Sequence, residues 1–71
     1  MKVSDTAAFG QVLRKRRKKL RYTQGFLSEC TGFSVSFISD VEKGKSTVEL
    51  GRALALAQFL GLDLDLTVRG E

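Results

Sequence analysis

Histidine, proline and tryptophan are absent from this 71-residue chain, and cysteine occurs once, at Cys30. A chain without histidine lacks the commonest general base and metal ligand. A single thiol closes no internal disulfide and has no imidazole to activate it. No glycine-rich phosphate cradle is present, and Asp63 and Asp65, two residues apart, have no neighbouring acid–base partner. The residue set therefore points away from an enzyme and from any metal or cofactor. No apolar stretch approaches the roughly 20 residues needed to cross a bilayer. No charged-then-apolar leader opens the sequence, so a cytoplasmic protein without a membrane partner is expected.

What remains is a short chain with 42% hydrophobic residues and a net charge of +4. That suffices for one domain, residues 1–71, with one small core. Chains this short bury little surface, and here neither disulfides nor metal reinforce them. Oligomerisation is the remaining device, so a homodimer is expected. The positive charge fits an anionic partner.

Hydrophobic periodicity and capping residues predict four helices, at about 5–20, 24–31, 34–43 and 48–60. Ser4 or Asp5 is placed to cap the first, whose apolar line is Phe9, Val12, Leu13 and Leu20. Thr23 caps the second, with Phe26, Leu27 and Cys30 turned inward. Gly32 turns the chain, since glycine accepts a left-handed backbone freely, and Ser34 caps the third. Ser46 or Thr47 is placed to cap the fourth. Its expected core stripe is Leu50, Ala53, Leu54, Ala57 and Leu60, while Ala55, Leu56 and Phe59 continue the apolar surface around the helix. A helix apolar on more than one side implies a second surface to bury.

The third helix carries most of the functional information. Ile38 and Val41 give it one apolar side, and its other side holds Ser34, Val35, Ser36, Ser39 and Asp40, all short. A slim helix of this kind suits the DNA major groove, and these five are the candidates for base edges. Val35 suits a thymine methyl, serine hydroxyls donate or accept, and Asp40 accepts from a cytosine amino group unless a neighbouring arginine holds it instead. Lys43, Lys45 and Ser46 follow the helix and are expected on backbone phosphates, as are Thr23 and Gln24 at the start of the second helix. Gln24 is also placed to brace the third helix. Seven of the twelve cations fall within residues 14–21. Among them Arg17 lies on the line of Leu13 and Leu20, so it needs a buried carboxylate, and Glu42 is the expected partner in a structural salt bridge.

After Gly61, the segment Leu62-Asp63-Leu64-Asp65-Leu66-Thr67-Val68-Arg69 alternates with period two and reads as a strand over 62–69. A lone strand leaves backbone groups unpaired. The same strand in a second copy is the expected partner, antiparallel about a two-fold axis. Leu56, Phe59, Leu62, Leu64, Leu66 and Val68 are the candidate dimer interface.

Thr23-Gln24, Leu27, Gly32-Phe33-Ser34, Ile38-Ser39, Glu42-Lys43-Gly44-Lys45 and Leu60-Gly61-Leu62 together resemble the Cro/C1 or Xre class of phage-repressor-type helix-turn-helix proteins. The resemblance covers roughly residues 9 to 62. It implies an all-α, lambda-repressor-like bundle of four or five helices that binds palindromic operators in double-stranded DNA as a dimer. It also implies that the positions of Arg17 and Glu42 pair internally and that the position of Gln24 touches phosphate. Ser36 to Val48 and the trailing strand are similar to HipB-type antitoxins. That likeness implies a nucleoid-associated repressor of its own operon, and a HipA-like kinase toxin as partner. A phage or plasmid repressor without a toxin, and a bundle kept only for protein interaction, are the alternatives.

Overall fold

The computed structural model describes residues 2–70 and contains four helices: α1 (Thr6–Lys19), α2 (Gln24–Thr31), α3 (Val35–Glu42) and α4 (Leu50–Phe59). Three begin at side-chain caps. Asp5 accepts from the Ala8 amide at 2.7 Å, and Thr23 and Ser34 accept from the Phe26 and Phe37 amides at 3.0 Å. Each cap satisfies one of the free N–H groups that every helix start exposes. Gly32 ends α2 in the left-handed conformation, φ 78°, and its N–H donates to the Ser28 carbonyl. That bend sets α3 across α2, the helix-turn-helix arrangement.

The core comprises Leu13 from α1, Leu27 from α2, Ile38 and Val41 from α3, and Ala53, Leu56, Ala57 and Leu60 from α4 and its cap, all at most 2% exposed. Phe9, Leu20, Tyr22, Phe33 and Phe37 pack around them. The crossing of α1 and α3 is held close by a residue without a side chain. A Cβ on Gly10 would overlap the Val41 carbonyl oxygen and lie 2.6 Å from that of Glu42. At the end of α3, Gly44 takes φ 83° and sits against the Ala7 backbone, while the Thr6 hydroxyl donates to its carbonyl at 2.8 Å.

Several expected features fall elsewhere. Among the described residues there is no fifth helix and no strand. The alternating segment 62–68 is without regular structure, because no strand among the described residues offers it an edge. Helix α4 starts at Leu50 rather than Val48, and Ser46 and Thr47 lie in a turn. Glu49 takes the cap position without a side-chain bond. The helix is also rotated from the expected setting: Ala53, Leu56, Ala57 and Leu60 are buried and Leu50 is 68% exposed. Leu56 is therefore in the protomer core and is not a dimer-interface residue. Either stripe satisfies the 3.6-residue period when a helix is apolar on several sides, so periodicity did not distinguish them. In α2, Leu27 alone is buried; Phe26 is 42% exposed and Cys30 faces solvent.

Candidate nucleic-acid interface

Two turns of helix form the centre of the site. From the Ser34 cap onward, Ser34, Val35 and Ser36 are exposed, and Ser39 and Asp40 are half-buried on the next turn. The opposite side of α3 is locked into the core by Ile38 and Val41. Two turns are short for an autonomous helix, so the direction of its outer face depends on the anchoring at its end.

That anchor is Glu42, 5% exposed. Arg17 Nε donates to its Oε2 at 2.6 Å and Arg17 Nη2 to its Oε1 at 2.9 Å, a two-pronged pairing that fixes orientation as well as distance. The third prong, Nη1, donates to the Tyr22 carbonyl at 2.9 Å. Hydrogen bonding to Glu42 raises the Arg17 pKa above its ordinary value, against the lowering effect of burial. Gln24 Nε2 adds a bond to Glu42 Oε1 at 3.1 Å. One carboxylate at the end of α3 thus gathers α1 and α2, while Arg17 ties in the loop before α2.

The residues expected on phosphates divide into two groups. Thr23 is exposed but its hydroxyl is used as a cap, and Gln24 is half-buried and braces Glu42. Lys43 caps α3 and is exposed. Lys45 Nζ lies 3.6 Å from Asp40 Oδ2, so the cation that holds Asp40 is a lysine rather than a neighbouring arginine. Ser46 is exposed and borders an apolar groove of about 330 Å³ lined by Phe9, Val48, Leu50 and Leu54, with Leu64 of the tail at its edge. Of the remaining interface candidates, Phe59 is 43% exposed, Leu62 half-buried on the core, and Leu64, Leu66 and Val68 are 50%, 94% and 66% exposed.

Two features escaped sequence reasoning. Arg16 reaches from α1 to donate to the Leu60 carbonyl at 2.8 Å, satisfying the end of α4. Gln11 and Arg14 border a second, polar cleft together with Gln24, Ser39 and Lys43. A cation run on one helix gives no signal of which members turn inward, beyond the apolar line that singled out Arg17.

Among the described residues, no helix is long and apolar enough to cross a membrane, and no group of three or more His, Cys, Asp or Glu is placed to hold a metal.

Comparison with known proteins gives the architecture its context. The chain superposes on the HipB–O4 20mer complex with a TM-score of 0.87, at 20% identity and covering 97% of both chains. It matches the O2 20mer complex of a HipB with one serine-to-alanine substitution at a TM-score of 0.88, also at 20% identity, covering 97% of this chain and 96% of that one. In sequence it is 33% identical over 70 residues to an uncharacterized HTH-type transcriptional regulator, y4mF, of Sinorhizobium fredii (strain NBRC 101917 / NGR234), covering 99% of this chain and 92% of the relative. The Helix-turn-helix family HTH_3 matches residues 13–66. With its capped α2, left-handed Gly32 and short anchored α3, the chain belongs to that helix-turn-helix family.

Proposed function

We propose that the protein is a dimeric, sequence-specific DNA-binding repressor that occupies a palindromic operator, its own promoter included. The observation that carries this reading is α3: a slim helix with Ser34, Val35 and Ser36 exposed, its inner side and end fixed by Ile38, Val41 and the Arg17–Glu42 pair. Such a helix enters a major groove without bulky side chains obstructing it, and its fixed setting lowers the cost of ordering on binding. The outer face from Ser34 to Asp40 reads bases. Lys43, Lys45, Ser46 and the start of α2 hold phosphates and set register.

Dimerisation through the tail belongs to the same proposal. Leu64, Leu66 and Val68 are exposed on a segment that pairs with no strand among the described residues, beside an apolar groove. Antiparallel pairing of two tails as strands satisfies their backbone groups and covers the leucines. Two copies of α3 then address half-sites about one helical turn, roughly 34 Å, apart or a multiple of it.

The likeness in shape to HipB extends the proposal to an antitoxin that also holds a HipA-like kinase toxin. Titration of the duplex upstream of its own gene against a shuffled duplex tests the repressor: preference for the former supports it, and equal binding opposes it. Co-expression with the product of an adjacent kinase gene tests the antitoxin. A stable complex supports that role, and separate elution leaves a repressor without a toxin.

A further inference from the structure

We propose that the polar cleft between α1 and the helix-turn-helix seats one phosphate of the DNA backbone, with Arg14 and Gln11 of α1 as its outer wall. This rests on the repressor reading above and adds α1 to the surface that meets DNA. The cleft is about 270 Å³, below the roughly 300 Å³ at which sites for drug-sized ligands begin, and every residue that lines it has a polar or charged side chain.

Arg17 and Glu42 also line it, already paired with each other. Arg17 uses Nε, Nη1 and Nη2 internally, and both Glu42 oxygens accept bonds. The lone carboxylate of the cleft is thus matched by a bidentate guanidinium and offers an approaching anion little repulsion. Arg14 and Lys43 both line the cleft and take no part in the ion pairs among the described residues, Arg17–Glu42, Lys45–Asp40 and Arg52–Glu49. Beside them stand the Ser39 hydroxyl and the Gln11 and Gln24 amides. Two free cations, the Gln11 and Ser39 side chains and the one Gln24 N–H not given to Glu42, brought from three helices around one small space, suit a tetrahedral anion. Ser39 is also a residue of α3, so the cleft adjoins the base-reading face, where the sugar–phosphate edge of an occupied major groove passes.

A free phosphate ion has the same chemistry as a backbone phosphate, so the test uses each as a probe. Anisotropy titrations of a labelled upstream duplex and a shuffled duplex are run from low to high KCl with wild type, Arg14→Gln, Arg14→Lys and Lys15→Gln. Arg14→Gln is expected to weaken binding to both duplexes alike, by about tenfold, and to flatten the log–log salt slope by about 0.9. Arg14→Lys restores the slope, while Lys15→Gln, on an exposed position outside the cleft, leaves it nearly unchanged. Equal slopes for Arg14→Gln and Lys15→Gln would overturn the seat and leave only diffuse attraction. Inorganic phosphate, matched to KCl in ionic strength, is expected to weaken wild-type duplex binding more than chloride does and to lose that excess in Arg14→Gln; an excess that survives in Arg14→Gln would place the anion outside the cleft and overturn the seat. A wild-type chain that binds no duplex fails the repressor reading and the seat together. Duplex binding with an unaltered slope in Arg14→Gln fails the seat alone.

Discussion

Arg17 and Glu42, 25 residues apart, meet through two hydrogen bonds of 2.6 and 2.9 Å across the α1–α3 crossing. Both are nearly buried, at 9% and 5% exposure. A buried pair of this kind is costly to break on one side only, because the survivor keeps its charge without a partner. Arg17→Met and Glu42→Leu are each expected to lower the unfolding free energy by about 3–5 kcal/mol, and the double variant to recover much of it. Urea denaturation of the four proteins measures the coupling. Additive losses would mean that the pair does not act as a unit.

The same crossing depends on Gly10. Its Cβ position is filled by backbone of Val41 and Glu42, which cannot move aside as a flexible side chain can. Gly10→Ala is therefore expected to force α1 and α3 apart, at a cost of about 1–3 kcal/mol or more, and to weaken duplex binding beyond the loss of folded protein. Arg21 presents the opposite case. It takes a left-handed φ of 62° in the turn after α1 and is exposed. Arg21→Gly removes the Cβ clash of that conformation and is expected to raise stability by about 1 kcal/mol. Thermal melts of the two variants should move in opposite directions, and a fall for Arg21→Gly would contradict the account of this turn.

Local rules carried most of the architecture. Asp5, Thr23 and Ser34 cap where short polar residues precede apolar periods, and Gly32 turns where a left-handed residue is needed. Arg17 and Glu42 were legible because a cation on an apolar helix line demands a carboxylate. Gly10 was not, since close backbone approach leaves no pattern of side chains. The setting of α4 was ambiguous in a helix apolar on several faces, so Leu50 and Leu56 exchanged places. Phe26 and Cys30 were read inward, yet in an eight-residue helix capped by Thr23 only Leu27 reaches the core. Arg14 was hidden inside a run of like charges, and the neutral Gln11 three residues before it gave no signal of its own.

Asp40 and Lys45 are 3.6 Å apart and half-exposed, so each partly cancels the other in the field that DNA would meet. Asp40→Asn frees Lys45 and removes a negative charge from the groove-facing helix. Affinity for a shuffled duplex is expected to rise about three- to tenfold, with a salt slope steeper by up to about one. Ser36→Ala, by contrast, is expected to change preference among duplex sequences and leave the slope alone. Identical behaviour of the two variants would contradict the division between base-reading and phosphate-holding residues.

For the dimer, a chain ending at Leu62 keeps the N–H that closes α4 on the Ala57 carbonyl and loses the exposed tail. It is expected to remain folded and to elute as a monomer in light scattering. Leu66→Asp, at a position 94% exposed in the protomer, should weaken the dimer without lowering protomer stability. A stable dimer of the shortened chain would show that association lies elsewhere.

The most direct measurement is residue-by-residue: amide chemical shifts of the full chain, titrated with its own upstream duplex. Insertion of α3 predicts the largest changes at Ser34 to Asp40, with a second set at Thr23–Gln24 and Lys43–Ser46, and two chains per duplex at saturation. Changes concentrated around Tyr22, Phe26 and Phe59 with α3 undisturbed, or no saturable change at all, would contradict it.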